Sequence, residues 1–299
     1  MNAGWVAGTV RSRLLARHRL GRDGARAVAD AGSIEAAAAR LRASNYGPVA
    51  ADGADVSRMQ HDIWASVLWD LRVLAGWLPP DGVDALRVLA ALWELRNIEG
   101  LLFPPAIEPG FELGMLGTAW SLLRAVTQPA DVRDVLRRSA WGDPGSDEPA
   151  ELLTRLRIDW ARRVGGVDES WGAGAAVLVI ARLIVLGGRA DAGIVRRVPA
   201  LSAHIADATT LAELQSLAPA AARWLFGDAE EPVDLWKAEA RWWRRVDRDA
   251  ARWLRSASAG KPVVVGAAAS LMVDAWQTSA ALEIAARGGR GREVLDVAA

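Results

Sequence analysis

Apolar residues recur every three or four positions along much of the chain, which is the spacing of one face of an α-helix. Two long stretches show the pattern most clearly. The first contains Val56, Met59, Ile63, Val67, Leu71 and Leu74, and the second contains Leu86, Leu89, Leu92, Leu95 and Ile98. Because Pro79-Pro80-Asp81-Gly82 separates them, the two stretches predict an antiparallel helix pair.

Shorter stretches with the same period precede and follow this pair. Residues 4–20 predict a helix with Val6, Val10, Leu14 and Leu15 on one face, and residues 21–24 predict a turn. Ser33 predicts an N-cap for residues 34–41. Further predicted helices cover residues 118–127, a segment opened by Pro129 and Asp131, and residues 151–164, 175–186, 211–217, 235–257 and 263–287.

Two of these segments carry more specific expectations. Residues 175–186 are apolar nearly all round, which predicts the most buried helix. Val263-Val264-Val265 is the only plausible strand, and it is too short and isolated to build a sheet. The sequence therefore predicts an all-α fold.

Three helical runs end on an aromatic residue followed by glycine. These pairs, called the helix stops below, are Tyr46-Gly47, Trp141-Gly142 and Phe226-Gly227. Their glycines lie 95 and 85 residues apart, and a glycine just past a helix suits a left-handed cap. The recurrence favours three related helical lobes. The expected lobes are residues 1–50 with 228–299, residues 51–145, and residues 146–227.

Composition excludes several kinds of chemistry. The 299 residues carry 36 basic and 36 acidic side chains, so net charge offers no argument for binding nucleic acid. The absence of cysteine excludes disulfides and thiolate sites, and three histidines make a histidine-built metal site unexpected. No cofactor is expected. The fifteen tryptophans are interpreted mainly as large core and interface residues.

Neither a secretion signal nor a membrane span is expected. Four arginines between residues 11 and 19 occupy the place of an apolar signal core. The longest apolar run, residues 175–186, contains Arg182 and is shorter than the ~20 residues that cross a bilayer. A cytoplasmic protein without a transmembrane segment is the expectation.

Candidate catalytic residues are few. The adjacent residues His61 and Asp62 would point about 100° apart on a helix, so they do not form a base and its carboxylate partner. Asp131 and Asp134 are interpreted as charges at the positive end of a helix. Three further acids, Asp228, Glu230 and Glu231, are interpreted as a solvated loop, and the arginine-rich and tryptophan-rich helix at residues 235–257 as an ion-paired face. No catalytic, cofactor-binding or metal-binding residue is assigned.

Several short motifs resemble those of the C-type central-stalk family of the V/A-type (vacuolar/archaeal) rotary ATPases, whose eukaryotic counterpart is the d-type protein of the V-ATPase. They begin with an aromatic residue, a basic stretch and a Leu-Leu pair at residues 5–15, and a short helix ending at Tyr46-Gly47. Arg96-Asn97-Ile98-Glu99, Leu116-Gly117 before Trp141-Gly142, and Gly260-Lys261-Pro262 before the last long helix also match. Glu99 stands where lysine is usual, and residues 274–282 depart from the usual run.

The resemblance implies three helical lobes that form a funnel-shaped socket. It implies a non-catalytic part of the central stalk, which couples the rotating shaft to the membrane rotor ring during ion transport driven by ATP or ATP synthesis. The implied partners are the shaft subunits and the ring, and the implied location is peripheral, on the cytoplasmic face of the membrane. Residues of the three helix stops, Tyr46, Gly47, Trp141, Gly142, Phe226 and Gly227, are the candidates for partner contact.

Two other functions stay open. A free-standing helical scaffold that binds another protein would have the same composition. An all-α enzyme with a tryptophan-rich apolar pocket, such as a terpenoid-type cyclase, would need an acidic metal-binding cluster, and the sequence offers no convincing one.

Overall fold

A computed structural model describes residues 3–47, 55–104, 109–229, 231–257 and 259–298. These residues form α-helices and short 3₁₀ turns, and none of them lies in a β-strand, which confirms the all-α prediction. The α-helices are α1 (Ala3–Leu15), α2 (Gly21–Ala29), α3 (Ile34–Arg42), α4 (Val56–Ala75), α5 (Pro80–Leu102), α6 (Trp120–Leu123), α7 (Val132–Arg137), α8 (Pro149–Gly165), α9 (Glu169–Val185), α10 (Ala192–Arg196), α11 (Leu211–Leu217), α12 (Leu235–Leu254), α13 (Lys261–Ala286) and α14 (Glu293–Val297).

The chain forms two compact units. Unit 1 contains Met1–Ala90, Phe111–Leu116 and Trp243–Ala299, and unit 2 contains Ala91–Gly110 and Gly117–Trp242. Two of the four boundaries between the units fall within helices α5 and α12, and the other two flank residues 111–116. This division differs from the three predicted lobes, and the lobes stay a prediction.

Helix α13 is the centre of unit 1, where α1, α2, α3, α4 and α14 contact it. Its 26 residues include only three charged side chains, those of Lys261, Asp274 and Glu283. A helix that is apolar on every side is stable only when other elements cover it all round. Accordingly, 19 of the 26 residues are buried, against 10 of 17 in α9, so the prediction that residues 175–186 form the most buried helix is wrong.

Val263-Val264-Val265, the only plausible strand in the sequence, forms part of the first turns of α13. Pro262 lies in the first turn, where its missing N–H removes no helical hydrogen bond. All three valines are buried. Burial of their side chains in unit 1 outweighs the preference of β-branched residues for strands, which amounts to only a few tenths of a kcal/mol per residue.

Helix α1 exposes most of the apolar residues that were expected to form its buried face. Val6, Val10 and Leu14 are 45%, 65% and 46% exposed, while Gly8, Thr9, Ser12 and Leu15 are buried. Small residues form the buried face because they allow close approach. A Cβ atom at Gly8 would lie 2.3 Å from the side chain of Leu78.

Two local predictions differ from the structure. Residues 21–24 begin helix α2 instead of forming a turn, because the carboxylate of Asp274 accepts the N–H groups at its start. Residues 118–127 contain only the four-residue helix α6. The capping prediction for Ser33 is confirmed, because its side chain accepts from Ala36 N at 3.2 Å. At the start of α11, Thr210 forms a complete capping box with Glu213.

In unit 2, helices α8 and α9 form an extensive contact. The contact is closest at two glycines, where a Cβ atom added to Gly172 would lie 2.4 Å from the Cα atom of Gly165. Nearby, the indole N–H of Trp242 donates to the carbonyl of Trp171 at 2.9 Å. Backbone approach at this distance requires glycine on the α9 side.

Within the described ranges, no helix combines the length and the hydropathy needed to cross a membrane.

Candidate functional site

The first two helix stops have the same hydrogen-bonding pattern. Ser44 Oγ donates to the Leu41 carbonyl at 2.8 Å and accepts from Tyr46 N at 3.1 Å. Ser139 Oγ likewise donates to the Leu136 carbonyl at 2.8 Å and accepts from Trp141 N at 3.1 Å. In both stops the glycine N–H also donates to the carbonyl of the same serine. A serine three residues before the glycine thus ends each helix in the same way.

The third stop keeps part of this pattern. Trp224 lies three residues before Gly227, as the serines do in the other stops, and its indole N–H donates to the Ala221 carbonyl at 2.6 Å. The acceptor again lies six residues before the glycine. Here Arg241 adds a contact of its own, because its guanidinium donates to the Phe226 carbonyl and pairs with Asp228.

The three glycines serve different steric needs. Gly142 and Gly227 have φ angles of 73° and 55°, the left-handed values predicted for a cap. Gly47 does not have a positive φ, so the predicted left-handed cap is wrong there. At Gly47 the constraint is space, because an added Cβ would lie 2.9 Å from the Arg42 carbonyl oxygen.

In unit 1 the aromatic residue of the stop is tied to a buried acid. Tyr46 Oη donates to Asp274 Oδ2 at 2.9 Å, and the N–H groups of Leu20 and Gly21 donate to the same carboxylate at 2.9 and 2.7 Å. We call these four residues the Asp274 cluster. The cluster joins α13, the start of α2 and the end of α3, and both of its polar side chains are buried.

Burial raises the pKa of both side chains. Removal from water raises the pKa of Asp274, although the hydrogen bonds from Gly21, Leu20 and Tyr46 partly oppose the shift. Burial, followed by the charge and hydrogen bond of Asp274, raises the pKa of Tyr46 well above its usual value. Tyr46 therefore stays a hydrogen-bond donor over the whole physiological range.

The tyrosine pKa is directly measurable because Tyr46 is the only tyrosine in the chain. We expect the tyrosinate absorbance of the folded protein to appear well above pH ~10, the ordinary tyrosine value. The stability that the protonated phenol contributes is therefore complete below pH ~10 and is lost as the pH rises through the folded-state pKa. A spectrophotometric pH titration of the folded protein measures this value.

The same chain unfolded in urea is the control for this titration, and its tyrosine should ionise near pH ~10. The variant Asp274→Asn should move the folded-state pKa of Tyr46 down, because it removes the neighbouring negative charge. Identical titrations of the folded and unfolded chains would contradict the burial of Tyr46 against Asp274.

Unit 2 contains a comparable arrangement around Glu94 of helix α5. The Trp141 indole N–H donates to Glu94 Oε2 at 2.8 Å. The backbone N–H groups of Thr118, Ala119 and Trp120 donate to Oε1 at 2.9, 2.7 and 2.7 Å, and the Thr118 hydroxyl donates to Oε2. We call these five residues the Glu94 cluster. As in unit 1, a buried acid joins a long helix, a helix start and an aromatic stop.

These clusters connect helices and leave the carboxylates little freedom for proton transfer. Glu94 accepts five hydrogen bonds and is fully buried, so its oxygens are occupied by its own chain. The aromatic side chains of Tyr46, Trp141 and Phe226 are buried as well. Direct partner contact by the six residues of the helix stops stays a prediction.

Sequence reasoning missed Glu94 and Asp274 as the partners of the stops. The available signal was a single acid inside an apolar helical stretch. Glu94 lies beside Trp93 and Leu95, and Asp274 is the only acid between Lys261 and Glu283. Each follows a proline at the start of its helix by 12 to 14 positions.

The remaining candidates have ordinary partners where the structure describes them. His61 stacks on Phe111 with ring centroids 4.3 Å apart, and Asp62 pairs with Arg58 at 3.0 Å. Arg245 and Arg252 both pair with Asp249, in agreement with an ion-paired face. Glu230 lies outside the described residues.

Within the same described ranges, no group of three or more histidine, aspartate or glutamate side chains could hold a metal ion.

No protein-family model matches the chain, and no curated protein matches it in sequence.

Proposed function

We propose that the protein is a non-catalytic central-stalk component of a V/A-type rotary ATPase, which couples the rotating shaft to the membrane rotor ring. One observation carries the proposal: two helix stops have the same hydrogen bonds, and the third, which follows a 3₁₀ turn, keeps one of them. In each, the side chain three residues before the glycine donates to the carbonyl six residues before it. Amino-acid composition alone does not explain why this side-chain hydrogen bond recurs at the same spacing. Its recurrence therefore supports three related lobes.

The order of the helices supports the same division. Each helix stop follows a pair of long consecutive helices, if the C-terminal pair is taken to precede the first stop. The pairs are α4–α5 before Trp141-Gly142, α8–α9 before Phe226-Gly227, and α12–α13 before Tyr46-Gly47. The pairs begin at residues 56, 149 and 235, which are 93 and 86 residues apart. The stop glycines are 95 and 85 residues apart. Two independent features therefore repeat with nearly the same period, as expected for three copies of one unit.

The internal clusters suit a part that transmits torque. A coupler must resist relative movement of its helices, and buried hydrogen bonds to a carboxylate hold three elements in fixed register. Such a part needs no reactive group of its own. The occupied carboxylates of Glu94 and Asp274 agree with this role. The proposal places the protein in the rotor, peripheral on the cytoplasmic face of the membrane.

Affinity purification from native membranes tests the proposal. The tagged chain, extracted in mild detergent from the organism that encodes it, should co-purify with shaft subunits and rotor-ring subunits in a fixed ratio, as measured by quantitative mass spectrometry. The same tag on an unrelated helical protein is the control. Recovery with an unrelated protein would favour the scaffold function instead.

An ATPase assay on the purified chain tests the non-catalytic part of the proposal. We expect no turnover, because the proposal places no nucleotide chemistry in this chain. ATP hydrolysis that follows the protein through purification would contradict it.

A further inference from the structure

A cavity of about 610 Å³ in unit 1 has an unusual lining. It lies between the segment that leads into α2, the second half of α12 and the middle of α13. Three arginines line it, Arg17, Arg19 and Arg22, together with Asp247 and Asp274. The cavity is not part of the helix stops, although Asp274 contributes to both.

The charges in this cavity do not balance. Arg19 and Arg22 share one carboxylate, with guanidinium nitrogens 3.4 and 3.5 Å from the oxygens of Asp247. Arg17 forms no hydrogen bond or ion pair with any described residue. Asp274 is held by the N–H groups at the positive end of α2 and by Tyr46. Three guanidinium groups and two carboxylates therefore line the cavity, which leaves an excess of one positive charge.

A buried amide also faces this cavity. Gln277 of α13 lines the cavity, and 5% of the residue is exposed. Its amide can both donate and accept hydrogen bonds, so it suits a polar group of a ligand in the cavity.

We infer that this cavity binds a phosphorylated small molecule, with its phosphate between Arg17, Arg19 and Arg22 and a polar group at Gln277. Guanidinium forks match phosphate oxygens in geometry. A phosphate monoester carries about −1.5 to −2 charges near pH 7, so the excess positive charge of the cavity attracts it. Pockets of about 300–1,000 Å³ hold organic ligands larger than a single ion. This inference is independent of the proposed rotary function.

Isothermal titration calorimetry at low ionic strength tests the site with four probes: AMP, pyrophosphate, inorganic phosphate and citrate. We expect saturable one-to-one binding of AMP or pyrophosphate, with weaker binding of inorganic phosphate. Arg17→Ala should weaken that binding at least about tenfold, as the loss of a charge-assisted hydrogen bond predicts. Because Arg17 is exposed, this variant should fold normally.

Two further variants complete the test. Gln277→Leu should weaken AMP binding while leaving binding of inorganic phosphate nearly unchanged, because it removes the contact to the organic part. Arg137→Ala removes an exposed arginine of unit 2 and should change nothing. The inference is overturned if neither phosphate ester nor pyrophosphate binds, if citrate binds more tightly than both, or if Arg137→Ala weakens binding as much as Arg17→Ala.

Discussion

Replacing Glu94 with alanine should lower the free energy of unfolding by about 3–5 kcal/mol, the largest effect that we expect from a single polar side chain in this protein. The change removes the acceptor of five hydrogen bonds and leaves the N–H groups of Ala119 and Trp120 and the indole of Trp141 without a partner. Urea denaturation monitored by circular dichroism measures the difference between the variant and the unchanged chain.

Glu99→Ala is the matched control, since Glu99 lies on the same helix five residues further along. Its carboxylate is 45% exposed and pairs with Arg157 at 2.9 Å. Exposed ion pairs contribute at most about 1 kcal/mol. If Glu94→Ala is no more destabilising than Glu99→Ala, the Glu94 cluster does not hold unit 2 together.

Gly172→Ala should destabilise the protein by about 3 kcal/mol or more, at the upper end of the usual range for overpacking. The added Cβ would lie 2.4 Å from the backbone N and Cα atoms of Gly165 and 2.7 Å from the carbonyl oxygen of Ala161. Backbone atoms cannot rotate away as a side chain can, so helices α8 and α9 must separate. Thermal and urea unfolding both report this change.

Gly165, the glycine of α8 that faces Gly172, provides the control. A Cβ added at Gly165 would lie 3.8 Å from the Cα atom of Gly172, which is an ordinary contact. Alanine is also the better helix former by about 1 kcal/mol, so Gly165→Ala should be neutral or slightly stabilising. Equal effects of the two alanine variants would contradict the asymmetric close approach of α8 and α9.

Local signals in the sequence predict the helices well. Ser33 caps the helix that it is predicted to cap, because an N-cap depends on atoms only three residues away. The stripe containing Met59, Ile63 and Leu71 is buried as its period predicts. These features need no knowledge of the rest of the fold.

Contacts between segments far apart in the chain are not visible in the sequence. The exposed apolar side of α1 could not be anticipated, because the burial of Gly8 depends on a close approach to Leu78. The acids Glu94 and Asp274 were missed as partners of the stops for the same reason, since the aromatic donors Trp141 and Tyr46 lie 47 and 228 residues away.

ATP-driven ion transport by membrane vesicles is the most direct test of the proposed coupling role. Vesicles from cells that lack this chain should still hydrolyse ATP at the catalytic head but should transport no ions, and adding the purified chain should restore transport. A Gly172→Ala protein, in which α8 and α9 are forced apart, should restore less. Full ion transport in vesicles without the chain would contradict the account.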